Sequence, residues 1–326
     1  MWELQILVIR MLQESRIAAP LAGFSLFGTP EFYLLIVTAA YWCVNTRLGL
    51  RLGLLVGIGG GLTDAAKIAF HMPRPYWIST EIRALNAYPS FGLPSAHASL
   101  AVGFYGLIAA FLRRRWAVIP AGALIFLVGI SRVVEGVHFP VDTIAGWLLG
   151  ILVLLAFLAW EAPVRAWMRG RPALERILIA FLASMAIVGL SLLFLACLGD
   201  WQLPAAWAET AYAGSGRAID PLFPRDTLLS AGLFFGFAAG AALSRQGGIG
   251  TDRRPGVLLA RYLVGIAVLA VLWFGIGLLI PQDPGLPESA LLYLRSAAAG
   301  IWVSYGAPAL FARIRLAGDV PRLSAE

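Results

Sequence analysis

Long apolar runs, separated by short polar stretches, dominate this chain. Nine of them approach or exceed the roughly 20 residues that a helix needs to cross a bilayer. They fall near 30–46, 48–70, 95–112, 116–136, 140–161, 173–197, 226–243, 257–280 and 289–312. Residues 1–28 follow another pattern. Glu3, Arg10 and Glu14 recur at spacings of seven and four, while Leu4, Val8 and Leu12 mark a separate face. That spacing predicts an amphipathic helix lying in the membrane interface. The run Ile6–Ile9 is too short for a signal-peptide core, and Arg10 interrupts it. The expected fold is all-α, a polytopic membrane helical bundle of about nine transmembrane helices behind an N-terminal interfacial amphipathic helix.

Composition agrees with that reading. Of 326 residues, 60% are hydrophobic and 13% charged, with a mean hydropathy of +0.80. Soluble domains keep about a quarter of their residues charged, so lipid must solvate much of this surface. The net charge of +7 does not point to nucleic acid, because the basic residues sit in short loops between apolar runs, where anionic headgroups meet them. Cys43 and Cys197 lie inside apolar segments near opposite faces of the predicted bundle. They read as packing residues rather than as a disulfide or metal ligands.

Arginine placement sets the orientation. Arg47 and Arg51, Arg113 to Arg115, Arg165, Arg169, Arg171 and Arg176 follow the first, third and fifth spans. Arg245, Arg253, Arg254 and Arg261 follow the seventh, and Arg313, Arg315 and Arg322 the ninth. Together they make sixteen of the 25 basic residues and mark the cytoplasmic side. The N-terminus and the loops 72–94 and 198–225 then face outward. A composition shift near Trp160 to Arg176 divides the chain into an interfacial helix (1–28), a five-helix core (29–162) and a four-helix accessory domain (163–326).

Almost all chemistry-bearing residues fall in the five-helix part, at its outward end. Lys67 and Arg74 are separated by six residues, Pro94 and Ser95 precede His97, and Ser131-Arg132 precede His138 and Asp142. Lys67 is the only lysine in a chain with 24 arginines. It lies near the end of an apolar span, where a charge is costly unless it snorkels or serves a site. Arginine's fork suits phosphate oxygens, and lysine adds a point charge. Pro94-Ser95 opens an apolar run, so Ser95 serves either as a plain N-cap or as part of an anion site with the first helix amides. His138 and Asp142 stand four apart. One helical turn lets the carboxylate accept from one ring nitrogen and leaves the other to attack.

These three stretches resemble the signature of the type 2 phosphatidic acid phosphatase superfamily, whose members include lipid phosphate phosphatases, undecaprenyl pyrophosphate phosphatases and glucose-6-phosphatase. The resemblance spans about residues 30–160. It rests on Lys67, Arg74, Pro75, Pro94, Ser95, His97, Ser131, Arg132, His138 and Asp142. It implies a phosphatase in which Lys67, Arg74, Ser95 and Arg132 bind phosphate. His138, oriented by Asp142, forms a phosphohistidine, and His97 protonates the leaving oxygen and then activates water. It implies no metal and no cofactor. Ala96 departs from the family glycine. If a positive φ were needed there, alanine would cost about 1–2 kcal/mol of strain. If close approach were needed, its methyl would crowd the phosphate.

Asp64, one turn before Lys67, is a supporting candidate through a pair with that lysine. Glu135, Arg83 and Asn86 are outward polar residues near the site. His71 matches no motif position and reads as structural or interfacial. Arg295 is the clearest intramembrane charge of the second half. The expected partners are membrane lipids and a phosphorylated lipid substrate, with no nucleic acid. The expected setting is a bacterial inner membrane with the site on its extracytoplasmic face. Alternatives are a glucose-6-phosphatase-like enzyme for a soluble ester, a lipid phosphotransferase, or a phosphatase fused to a transport domain. The residues carry no signal of oligomeric state.

Overall fold

Trp2–Glu14 forms α1, the first helix of a computed structural model that describes residues 2–244, 254–281 and 285–316. Among the described residues the fold is helical throughout, with no strand. α2 (Pro30–Ala39), α3 (Thr46–Phe70), α4 (Ala96–Leu112), α5 (Arg115–Val134), α6 (Pro140–Met168) and α7 (Ala173–Cys197) follow in order. Then come α8 (Arg225–Leu243), α9 (Pro255–Gly277), α10 (Leu286–Ile301) and α11 (Ala307–Arg313). Short helices at Ala18–Gly23, Pro75–Ile78 and Ala205–Ser215 lie between them.

Helix occupies each of the nine expected segments, but among the described residues six continuous helices are long and apolar enough to cross a membrane, or seven if one bent pair counts as a single span. The other segments differ for identifiable reasons. Pro30 opens α2 after a 53° bend from Ala18–Gly28, and the helix runs on through a π-helical turn at Ala40–Val44. α4 has 17 residues and stops where Arg113 adopts a left-handed φ of 53°. The last segment is interrupted between α10 and α11 by a π-helical turn, Trp302–Gly306. Arg245, Arg253 and Arg322, used above to set orientation, lie outside the described residues.

The chain forms two compact units, each assembled from three stretches. The first holds Met1–Phe32, Gly59–Pro163 and Ile187–Thr227; the second holds Tyr33–Ile58, Val164–Ala186 and the chain from Leu228 onward. Residues 33–58 therefore group outside the unit that carries the motifs, and residues 187–227 group within it. In the second unit, Trp42 donates to Val303 O and Tyr41 to Ser304 O. Arg295 lies with its guanidinium carbon 3.8 Å from the Trp273 ring centroid.

In the first unit α1 packs inward with Ile9, fully buried in an aromatic cluster with Trp77, Phe91 and Phe139. Leu12 joins that buried face, contrary to its expected grouping with Leu4 and Val8. The exposed apolar stripe is instead Leu4, Leu7, Val8 and Met11.

Candidate active site

α3 brings Lys67 to its last turn and ends at Phe70. His71 then takes a left-handed φ of 38°, and Pro73 cannot continue a helix. Arg74 follows in extended conformation as the N-cap of Pro75–Ile78. The loop after it folds back over the guanidinium, and Arg74 as a whole is 1% exposed. Nε donates to Ser90 O at 2.7 Å, Nη2 to Phe91 O at 3.0 Å and to Ser90 Oγ at 3.2 Å. Nη1 reaches Val137 O at 3.0 Å and His138 Nε2 at 3.1 Å.

A guanidinium has donors only, so His138 Nε2 accepts. Its proton therefore sits on Nδ1, which faces Asp142 Oδ2 at 3.3 Å. The same carboxylate oxygen accepts from the Phe139 amide at 2.9 Å, and the Asp142 carbonyl accepts from the Ser95 amide at 2.9 Å. Pro140 opens α6 two residues after His138 and puts Asp142 in its first turn, which brings the pair together as their spacing predicted. Burial, followed by the charges of Arg74, Arg132 and Lys67, holds the His138 imidazole well below its usual range.

Arg132, at the end of α5, pairs through Nη1 with Glu135 Oε2 at 2.6 Å. Both side chains are almost fully buried. Its Nε and Nη2 have no partner among the described residues, and neither do Ser95 Oγ and His97 Nε2. Ser95 precedes the first residue of α4, yet its hydroxyl makes no capping bond. The plain N-cap reading of that serine therefore does not hold. Leaving a buried polar atom unpaired costs about 1–3 kcal/mol, so four such atoms on three neighbouring motif residues mark a place built for a polar ligand. Tyr88 draws the arrangement together. The Arg74 and Arg132 guanidinium carbons lie 5.0 and 5.1 Å from its ring centroid, and the His97 ring centroid lies at 6.1 Å.

Lys67 Nζ donates to Asp64 Oδ1 at 2.9 Å and to Ser90 Oγ at 3.4 Å, so it shares a serine with Arg74. Ala96 begins α4 and is absent from the residues with positive φ. The strain considered for alanine at this position does not arise. The close approach lies at Gly92, where a Cβ would stand 2.8 Å from Pro73 O and 3.0 Å from Asp142 Oδ2. His71 packs its ring 5.3 Å from Trp201 and 6.5 Å from Phe91, among aromatic side chains. Asn86 donates to Glu135 Oε2, whereas Arg83 meets α1 through its backbone.

Tyr88 and Ser90 escaped the sequence reading, whereas Glu135 was singled out there as an outward polar residue near the site. Glu135 stands three after Arg132, a spacing that signals a helical ion pair. Tyr88 and Ser90 lie in an irregular loop, where no periodicity marks them.

A helical membrane protein with a buried His–Asp pair among three cations is the class that fold and site define. The chain belongs to the PAP2 superfamily. The PAP2 superfamily model matches residues 48–166, and that of the PAP2 superfamily phosphatase transmembrane extension matches residues 228–319. Among curated relatives, a probable sphingosine-1-phosphate phosphatase of Dictyostelium discoideum is 28% identical over 192 residues, 52% of this chain and 44% of that protein. Phosphatidylglycerophosphatase B of Bacillus subtilis is 28% identical over 158 residues, 44% of this chain and 75% of the relative. An undecaprenyl-diphosphatase of Sulfolobus acidocaldarius is 32% identical over 105 residues, 32% of this chain and 50% of the relative. The chain thus spans less than half the length of the first of these relatives.

Proposed function

We propose that this chain is an integral membrane phosphatase that hydrolyses a lipid phosphate monoester or diphosphate through a phosphohistidine on His138. The observation that carries the reading is the set of unpartnered buried atoms on Ser95, His97 and Arg132, beside an imidazole whose Nε2 is unprotonated. The names of the three relatives, each a phosphatase or diphosphatase of a lipid, support the substrate class.

In this reading Arg132 Nε and Nη2, Ser95 Oγ and the first amides of α4 take the phosphoryl oxygens, with Lys67 and Arg74 adding charge. Arg74 commits its donors to the loop and to His138, so its first task is to hold the nucleophile. When His138 turns its lone pair to phosphorus, Nη1 keeps Val137 O. The N–P bond forms as the P–O bond breaks, and His97 gives its proton to the leaving oxygen. His97 then takes a proton from water, the hydroxide attacks phosphorus, the N–P bond breaks and phosphate departs. The three cations supply the electrostatic stabilisation, without a metal.

We further propose nine membrane crossings, an interfacial α1 and a site on the extracytoplasmic face of a bacterial inner membrane. The arginine distribution supports that orientation.

Phosphate release by purified protein from lipid monophosphates, lipid diphosphates and soluble esters tests the activity. Turnover of the lipids above the soluble esters is expected, and silence across the panel refutes it. For the leaflet, a background lacking Cys43 and Cys197 should carry cysteine at Asn86 or at Arg114. An impermeant thiol reagent on intact cells should label the first and not the second; the reverse pattern inverts the topology.

A further inference from the structure

The segment that carries His138 and Asp142 is splinted along its length by α1. At the near end, the Trp2 ring lies 4.5 Å from that of Phe139, the residue after His138. Gln5 Oε1 accepts from the Val141 amide at 3.3 Å. At the far end, Gln13 Nε2 donates to Val134 O at 3.0 Å and to Arg83 O at 2.7 Å, while its Oε1 accepts from the Arg83 amide at 3.4 Å. Gly136, with φ of 70°, sits against Gln13 Nε2, which a Cβ would approach to 2.8 Å. Next to this junction, Leu85 donates to Glu135 O, and Glu135 holds Arg132. One side chain on α1 therefore joins the loop that carries Tyr88 and Ser90 to the turn between Arg132 and His138.

The opposite face of α1 is exposed among the described residues. Leu4, Leu7, Val8 and Met11 stand at helical spacing and are 69, 48, 37 and 64% exposed. Through the Gln5 contact this face adjoins the start of α6, whose Val141, Ile144 and Leu148 are also exposed apolar residues on a membrane-spanning helix. Its occupant is thus the boundary between headgroups and acyl chains of the same bilayer.

We propose that Gln13 is a positioning residue through which the seating of α1 on the membrane surface holds the His138 segment and the Arg132 turn in working geometry. The proposal rests on the phosphatase reading above.

The test uses full-length protein in phosphatidylglycerol liposomes with a water-soluble aryl phosphate, so that access from the lipid phase does not enter. Gln13→Met keeps the volume and helical preference of glutamine and deletes its hydrogen bonds. It should lower kcat by about 10–100-fold, as small displacements of reacting groups do, with KM changed less than twofold and the protein still folded at the assay temperature. Leu7→Ser with Met11→Ser changes only the exposed stripe and should also lower kcat in liposomes. Wild-type kcat in either variant overturns the proposal. So does a loss in Gln13→Met matched by unfolding, if the stripe variant stays fully active. If the wild-type protein releases no phosphate from any substrate, the phosphatase reading fails instead. The positioning claim is then decided by orthovanadate titration of the same proteins, in which Gln13→Met should bind at least about tenfold more weakly. Equal affinity overturns it.

Discussion

Arg74 and His138 share a hydrogen bond that assigns the tautomer of the imidazole: Nη1 lies 3.1 Å from Nε2, and of the two only the ring Nε2 can accept. Asp142 completes the assignment from the other side, at Nδ1. The same guanidinium also supports three carbonyls, those of Ser90, Phe91 and Val137. Orientation of the His138 ring and closure of the loop thus depend on one side chain.

Arg74→Lys should therefore fail although it conserves charge. A single ammonium cannot serve acceptors spread around a planar fork. Each buried carbonyl left without a donor costs about 1–3 kcal/mol. We expect loss of nearly all turnover together with a lower unfolding temperature, read by phosphate release and thermal denaturation in detergent. An active, equally stable lysine variant would remove the fork from the account.

The pH profile should report the same electrostatics. The proposed attack needs His138 unprotonated, and burial followed by Arg74, Arg132 and Lys67 lowers its pKa. The acid limb of kcat/KM, which reports the free enzyme, should then fall below the ordinary histidine value of about 6.5. Arg132→Gln deletes one lowering charge and leaves the Glu135 carboxylate nearby, and both changes raise the His138 pKa. Its residual activity should show an acid limb moved to higher pH. A limb that stays in place or moves lower would contradict the assignment of that limb to His138.

The motif residues were legible because each chemistry-bearing pair obeys a local spacing. His138 and Asp142 need one turn, and Lys67 and Arg74 flank a helix end marked by Pro73 and Pro75. The partners that hold them were not. Tyr88 and Gly92 act through a loop whose path depends on Arg74 donors, and Gln13 acts across more than a hundred residues of sequence. The spans show a similar division. Hydropathy located the long apolar helices, but the π-helical turns at Ala40–Val44 and Trp302–Gly306 depend on packing that composition does not encode. Trp42 Nε1, within the first of these turns, donates to Val303 O in the second.

Two small-residue substitutions separate close approach from motif identity. Ala96→Gly should leave kcat within about twofold, because Ala96 has ordinary helical geometry and glycine there costs only about 1 kcal/mol of helix propensity. Gly92→Ala should lower kcat by about 10–100-fold, since its methyl would push on Asp142 Oδ2 and on the Pro73 carbonyl. Steady-state kinetics on one substrate decides both. The opposite ranking would restore Ala96 as the critical departure from the family pattern.

Lys67→Arg is the sharper question, because this chain uses arginine at all its other 24 basic positions. Charge is conserved, so a site that needed only a nearby cation would accept the change. The geometry argues otherwise. The Lys67 side chain is 6% exposed and its Nζ sits between Asp64 Oδ1 at 2.9 Å and Ser90 Oγ at 3.4 Å. Ser90 Oγ in turn accepts from Arg74 Nη2. A guanidinium is larger and planar, and it would have to displace either Asp64 or the shared serine, disturbing the loop that Arg74 holds. We expect Lys67→Arg to lower turnover by about 10–1000-fold, the range for losing one aimed stabilising donor, with the protein still folded. Lys67→Met should be at least as damaging, because it leaves Asp64 buried without its cation. Phosphate release and thermal unfolding of both variants check the claim. Full activity in Lys67→Arg would show that the lone lysine supplies charge alone.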